Sequence, residues 1–181
     1  MKGLSAMEKK LIEAKAKEVL EKYHNGTESV DVVAICKKAG FELLTAIMPE
    51  IDDGFIIVNP NRINMFGVEG YKFIGVNANR NVEEKRFIIA HELGHYFMDC
   101  NGADTMVYAL REKKVGKPEA EQDVDYFAAC LLMPETAFKD KYSQLKSLGN
   151  TAEDIVAVLK NTFEVEQISV ERRIKELALE N

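Results

Sequence analysis

No uninterrupted apolar run in this chain approaches the roughly 18 residues that a bilayer-spanning helix needs, so no membrane partner is expected. Cysteine is scarce. Cys36, Cys100 and Cys130 form an odd set that cannot all pair with one another, which excludes a disulfide framework and points to reduced thiols. Positive charge is in deficit, with 24 Lys and Arg against 30 Asp and Glu and a formal net charge of -6. That balance argues against a general polyanion binder, since phosphate-driven affinity needs clustered Lys and Arg, and no direct nucleic-acid partner is expected. Internal repeats and low-complexity segments are missing too, which excludes solenoids. The N-terminal stretch from Met1 to Tyr23 alternates charged with apolar residues. It reads as an amphipathic helix rather than a secretory leader, so the expected compartment is the cytoplasm.

What is present is enough to fold. The chain has 181 residues, of which 46% are hydrophobic, and this suits one core of ordinary size. The expected division is a domain over residues 1–145 and a helical appendage over residues 150–181. Met7, Leu11, Ala14, Ala16 and Leu20 recur at helical spacing, and Asn25-Gly26 ends that helix. A short second helix runs from Asp31, a side-chain cap, to Gly40, a left-handed C-terminal cap. Phe41 to Met48, Gly54 to Val58 and Tyr71 to Asn77 are β-prone runs separated by Pro49, Asp52-Asp53, Pro60, Gly67 and Gly70. They predict a small three-stranded sheet, antiparallel or mixed. Asn81 followed by Glu84 is a capping-box pair, opening a helix from Val82 to about Cys100 before Asn101-Gly102. Residues from Ala103 to Lys117 read as a loop. Pro118 then occupies the first turn of a helix with an apolar stripe of Val124, Phe127, Ala128, Leu131 and Leu132. From Thr151 to Leu179 the pattern is two helices broken near Phe163 to Glu166.

The most informative string is His91-Glu92-Leu93-Gly94-His95, an HExxH pattern on the helix assigned from its cap. Residues four apart lie on one face of a helix, so both imidazoles can reach a single Zn²⁺. Glu92 is about a third of a turn away and can act as the base on water without ligating the metal. His91 and His95 share their face with Phe87, Gly94 and Met98, where imidazoles without partners would be costly and a metal would relieve the cost.

A catalytic zinc usually takes three protein ligands and leaves one position open. The third donor is open among Asp99, Asp104, Glu112, Glu119, Glu121, Asp123 and His24. Helix phase favours Glu121, which shares the inward side with Val124, Asp125 and Ala128, whereas Glu119 and Asp123 are each turned about 200° from it. Asp125, one turn on, suits the partner that receives a ligand histidine's other N–H.

Arg86-Phe87-Ile88-Ile89-Ala90 leading into HELGH, with Phe127-Ala128-Ala129-Cys130-Leu131-Leu132-Met133-Pro134 downstream, resembles the ImmA/IrrE family of metallopeptidases. The resemblance implies a zincin-like fold, here of α+β class, while the segment from Asp154 to Leu177 by its own pattern has the two-helix outline of a helix-turn-helix. The resemblance also implies zinc held by His91, His95 and Glu121, and a helix-turn-helix repressor protein as the substrate cleaved. Two features depart from the family pattern: Asp123-Val124-Asp125 stands where Glu-Ala-Asn is common, and Asp99 where a histidine is often found.

Two other classes compete with a peptidase. A DNA-binding regulator would use the two helices between Asp154 and Leu177, but Arg172, Arg173 and Lys175 there are offset by Glu166, Glu171 and Glu176. A zinc-bound module that sequesters a repressor without cutting it would need a closed, four-ligand site, for which Cys100 and Cys130 are the candidates.

Overall fold

The computed structural model describes residues 4–24, 26–50, 52–100, 107–112 and 119–180. Asn25, Asn101, Gly102, Asp104 and Pro118, all invoked above, lie outside these residues, as do the flanks of the expected loop at 103–106 and 113–117. Among the described residues, seven α-helices and a sheet make a mixed α+β fold.

Helix α1, Ala6–Tyr23, opens on a capping box in which Ser5 and Glu8 exchange bonds, and it buries Ile12, Ala16 and Val19. Helix α2, Val32–Lys38, begins where the Asp31 carboxylate accepts the Ala34 N–H at 2.9 Å. It is followed by Gly40 at φ +85°, the left-handed step that closes such a helix with least steric cost.

The three predicted strands are present as β1, Glu42–Ala46, β2, Asp52–Met65, and β3, Val68–Asn77. The sheet is mixed: β3 lies parallel to β1 and antiparallel to β2. Strand β2 runs beyond its expected end at Val58, straight through Pro60. The ladder to β3 shifts register between Val58 and Ile63, and a bulge is where a residue without an N–H is tolerated inside a sheet. The strands then turn through Phe66 and Gly67, both at positive φ, the two-residue geometry whose twist matches that of paired strands.

The segment expected as a loop contains a fourth strand, β4, Val107–Glu112, antiparallel to β2, and the sheet order is β1-β3-β2-β4. Val107-Tyr108-Ala109-Leu110 is short and bordered by charge, so local pattern understates it. Pairing with a neighbouring strand, which periodicity does not register, decides its conformation.

The sheet buries both faces. Ile56, Val58, Ile74 and Val76 point into the main core with the helices, while Phe55, Phe73 and Leu44 form a second cluster under Met48, Ile57, Ile63, Met65 and Val68. This alternation is the two-residue period of a strand.

Helix α3, Val82–Gly94, starts on the predicted capping box: Asn81 Oδ1 accepts the Glu84 N–H at 2.7 Å and Glu84 accepts the Asn81 N–H at 2.8 Å. It does not continue as an α-helix to Cys100. From His95 to Asp99 the rod widens into a π turn, a local change of hydrogen-bond spacing that side-chain periodicity cannot reveal. Helices α4, Glu119–Leu132, and α5, Glu135–Ser147, follow. Helices α6, Ala152–Phe163, and α7, Gln167–Glu176, are separated at Glu164, whose φ is +52°. Ile155, Leu159, Phe163, Val170 and Ile174 from this last pair belong to the same apolar cluster as α1 to α5. Arg86 of α3 binds the Glu164 carbonyl at 3.0 Å and the Val30 carbonyl at 2.9 Å, joining the α6–α7 turn to the start of α2. No helix among the described residues is long and apolar enough to cross a membrane.

Candidate metal centre

Two glycines set how closely the site can assemble. A Cβ on Gly94 would stand 2.7 Å from Val124 Cγ1 and 3.1 Å from Phe127 Cδ1, so α3 and α4 touch backbone to side chain at this point. A Cβ on Gly54 of β2 would stand 2.5 Å from Ile88 Cγ2 and 3.5 Å from Glu92 Oε1, which seats the Glu92 side of α3 against the sheet. Only a residue without a side chain permits either approach.

The approach of α4 to α3 brings His91, His95 and Glu121 together as a group whose ligand atoms all lie within 4.8 Å of one another. His91 is fully buried and His95 is nearly so. Their Nε2 atoms stand 3.2 Å apart. One Glu121 oxygen lies 3.4 Å from His91 Nε2 and the other 3.6 Å from His95 Nε2. Tetrahedral zinc with bonds of about 2.0–2.2 Å sets its donors roughly 3.3–3.5 Å apart, so the spacing and the two-nitrogen, one-carboxylate chemistry fit that ion. The Glu121 carboxyl is held below its ordinary range, first by its hydrogen bond with His91 and against the opposing effect of partial burial. It is therefore an anion at neutral pH.

Each imidazole is also held from behind. His91 Nδ1 lies 2.8 Å from Asp125 Oδ1, and His95 Nδ1 lies 2.8 Å from Asp99 Oδ2. A carboxylate can only accept, so each Nδ1 donates; in the neutral imidazole Nε2 then offers a lone pair to a metal, whereas the hydrogen bond to Glu121 without a metal needs a proton on His91 Nε2. Two lone pairs and an anion converging within 4 Å repel one another unless a cation or proton lies among them. Glu92 completes the arrangement as a fully buried carboxylate on the same helix.

Among the other expected third donors, His24 Nε2 bonds instead with the Thr27 carbonyl at 2.9 Å. Asp99 stands behind His95, and Asp123 is not part of the converging group. The side chains of Glu112 and Glu119 lie outside the described residues. No cysteine joins the group among the described residues. Burial pushes the Cys130 thiol up to about 12 and the Cys36 thiol likewise to about 12, which makes both poor thiolate donors at neutral pH. Tyr126 donates to Glu13 Oε1 at 2.6 Å, and Tyr96 accepts from Lys72 at 3.3 Å while packing edge-on against Phe41.

The sequence offered Asp99 only as one candidate third donor, not as the partner of His95 Nδ1. Its signal was nonetheless present, since an acid four residues after a ligand-type histidine shares its helical face. The closeness demanded at Gly94 was equally readable as a small residue between the two histidines, but its partner Val124 was not.

The family model described as IrrE N-terminal-like domain, Peptidase_M78, matches residues 38–175. The chain therefore belongs to this family of metallopeptidases, and its mixed α+β architecture agrees with the family's zincin-like fold. A search of curated proteins finds no match.

Proposed function

We propose that this member of the IrrE N-terminal-like family is a zinc-dependent endopeptidase acting in the cytoplasm on a helix-turn-helix transcriptional repressor. The observation that carries the reading is the convergence of two imidazole nitrogens and a carboxylate at 3.2 to 3.6 Å beside a buried glutamate. His91, His95 and Glu121 are the ligands, and Asp125 fixes the tautomer of His91. Zinc bound there supplies Lewis acidity, acidifying water and polarising a peptide carbonyl.

Glu92 does the proton work. Its carboxylate takes the proton of the attacking water and returns it to the departing amide nitrogen, so one group serves as base and then acid. Its burial against β2 excludes bulk solvent from that exchange and keeps the carboxylate at the reacting face of α3. The substrate backbone adds to β4, which among the described residues is an outer strand of the sheet beside β2, by main-chain hydrogen bonds. Arg111 of β4 pairs in register with Gly54, the residue against which Glu92 rests. Repressor cleavage as the outcome is drawn from the family resemblance of the HELGH and FAACLLMP segments.

The DNA-binding alternative is weakened by Arg173, one of three cations on α7, which is turned inward and only 1% exposed. The deciding experiment incubates the chain with candidate repressors, with and without a chelator, and reads the products by mass spectrometry. New peptide termini that vanish with the chelator are expected. Intact repressor retained in a stable complex would replace the peptidase with a sequestering module.

A further inference from the structure

Asp99 is the last residue of the rod that carries the HExxH pattern, at the end of the π turn His95–Asp99. An acid there faces the negative end of the helix dipole, which disfavours it. Local stability therefore argues against an aspartate at this position. Burial does not select it either, because its side chain is 53% exposed, whereas that of Asp125 is 14% exposed. What the residue does is accept His95 Nδ1–H at 2.8 Å.

We infer that Asp99 is a positioning residue of the metal centre, orienting the His95 imidazole and strengthening it as a ligand, as Asp125 does for His91. The inference rests on the metal-binding reading above. It makes the two imidazole supports unequal. Asp125 reaches His91 from a different helix and is enclosed, while Asp99 reaches His95 from the next turn and competes with water for the bond. Removing Asp99 should accordingly change how the site holds metal without disturbing the fold.

The test is chelator competition for Zn²⁺ on the full chain, comparing the unaltered protein with Asp99→Ala, Asp99→Asn and His91→Ala, alongside thermal unfolding of each metal-free protein. Asp99→Ala should weaken zinc about 10- to 100-fold, the usual cost of losing such a partner, with the metal-free midpoint unchanged or raised. Asp99→Asn should recover part of the affinity, since its amide oxygen can accept the same hydrogen bond without the charge. Replacing zinc with Co²⁺ gives a second readout, an altered visible spectrum in Asp99→Ala. Unchanged affinity in Asp99→Ala, while His91→Ala abolishes binding, would overturn the inference and leave the metal site standing. A lowered metal-free midpoint in both Asp99 variants with no partial recovery by Asn would reduce the residue to a structural one. Failure of the unaltered chain to bind zinc would remove the metal reading and this inference together.

Discussion

The two sides of α4 solve the burial of polar groups in different ways. On one side Glu121 and Asp125 meet His91 of α3, with Glu121 reaching His95 as well, and the donors converge on a point none of them occupies. About 140° to 180° around the helix from Glu121, by its 100° per residue, Tyr126 and Cys130 face a cluster that brings its own cation. There Arg173 of α7 lies 3.8 Å from Glu13 and 3.6 Å from Glu176, and its Nε donates to the Met133 carbonyl at 3.3 Å, just past the end of α4. The Arg173 guanidinium also stands 5.7 Å from the Tyr126 ring centre, and the Tyr126 hydroxyl is spent on Glu13. A set whose opposite charges are paired within the chain serves to hold helices together. A set that converges on a point, with lone pairs directed inward, serves an external ion.

This contrast breaks if either side does the other's work. The largest effect is expected for Glu92→Gln, which should lower peptide cleavage about 10²- to 10⁴-fold while metal content and unfolding midpoint stay close to those of the unaltered protein. A proteolysis assay at matched zinc occupancy measures it, and undiminished cleavage would strip Glu92 of its role. Arg173→Met should do the reverse. It leaves Glu13 and Glu176 without their cation, costing about 3–5 kcal/mol by denaturant titration, with the zinc affinity of the remaining folded chain near normal. A specific loss of zinc affinity there, at full stability, would mean that the two sides are coupled.

The smallest effect sharpens the comparison at the helix contact itself. Gly94→Ala introduces a methyl 2.7 Å from Val124 Cγ1, and overpacking of this kind costs about 1–3 kcal/mol. Zinc affinity should fall with stability, because separating α3 from α4 moves Glu121 away from the imidazoles. Adding Val124→Ala should restore both. A Gly94→Ala variant as stable and as tight for zinc as its parent would show that helix spacing is not what assembles the site.

Much of the placement was readable before any coordinates. The capping pairs at Asp31 and Asn81, the break near Glu164 and the spacing of His91 and His95 are local, and each is governed by residues within about one helical turn. Glu121 and Asp125 were also readable, because helix phase alone puts them on the side of the apolar stripe. Other features depend on distant partners. Strand β4 forms by pairing with β2, the passage of β2 through Pro60 depends on a register shift against β3, and the need for glycine at position 94 arises from a valine 30 residues later. The π turn that carries Asp99 is a matter of backbone hydrogen bonds, which no side-chain pattern encodes.

By itself the amino-acid order determined which side chains share a helical face and where each helix begins, since those follow from a fixed angle per residue and from caps within hydrogen-bond reach. Whether the faces of α3 and α4 would meet, how near, and with which sheet edge beside them was decided by packing alone. Those distances are set by contacts between residues far apart in the chain, where one methyl group at a crossing outweighs any local preference.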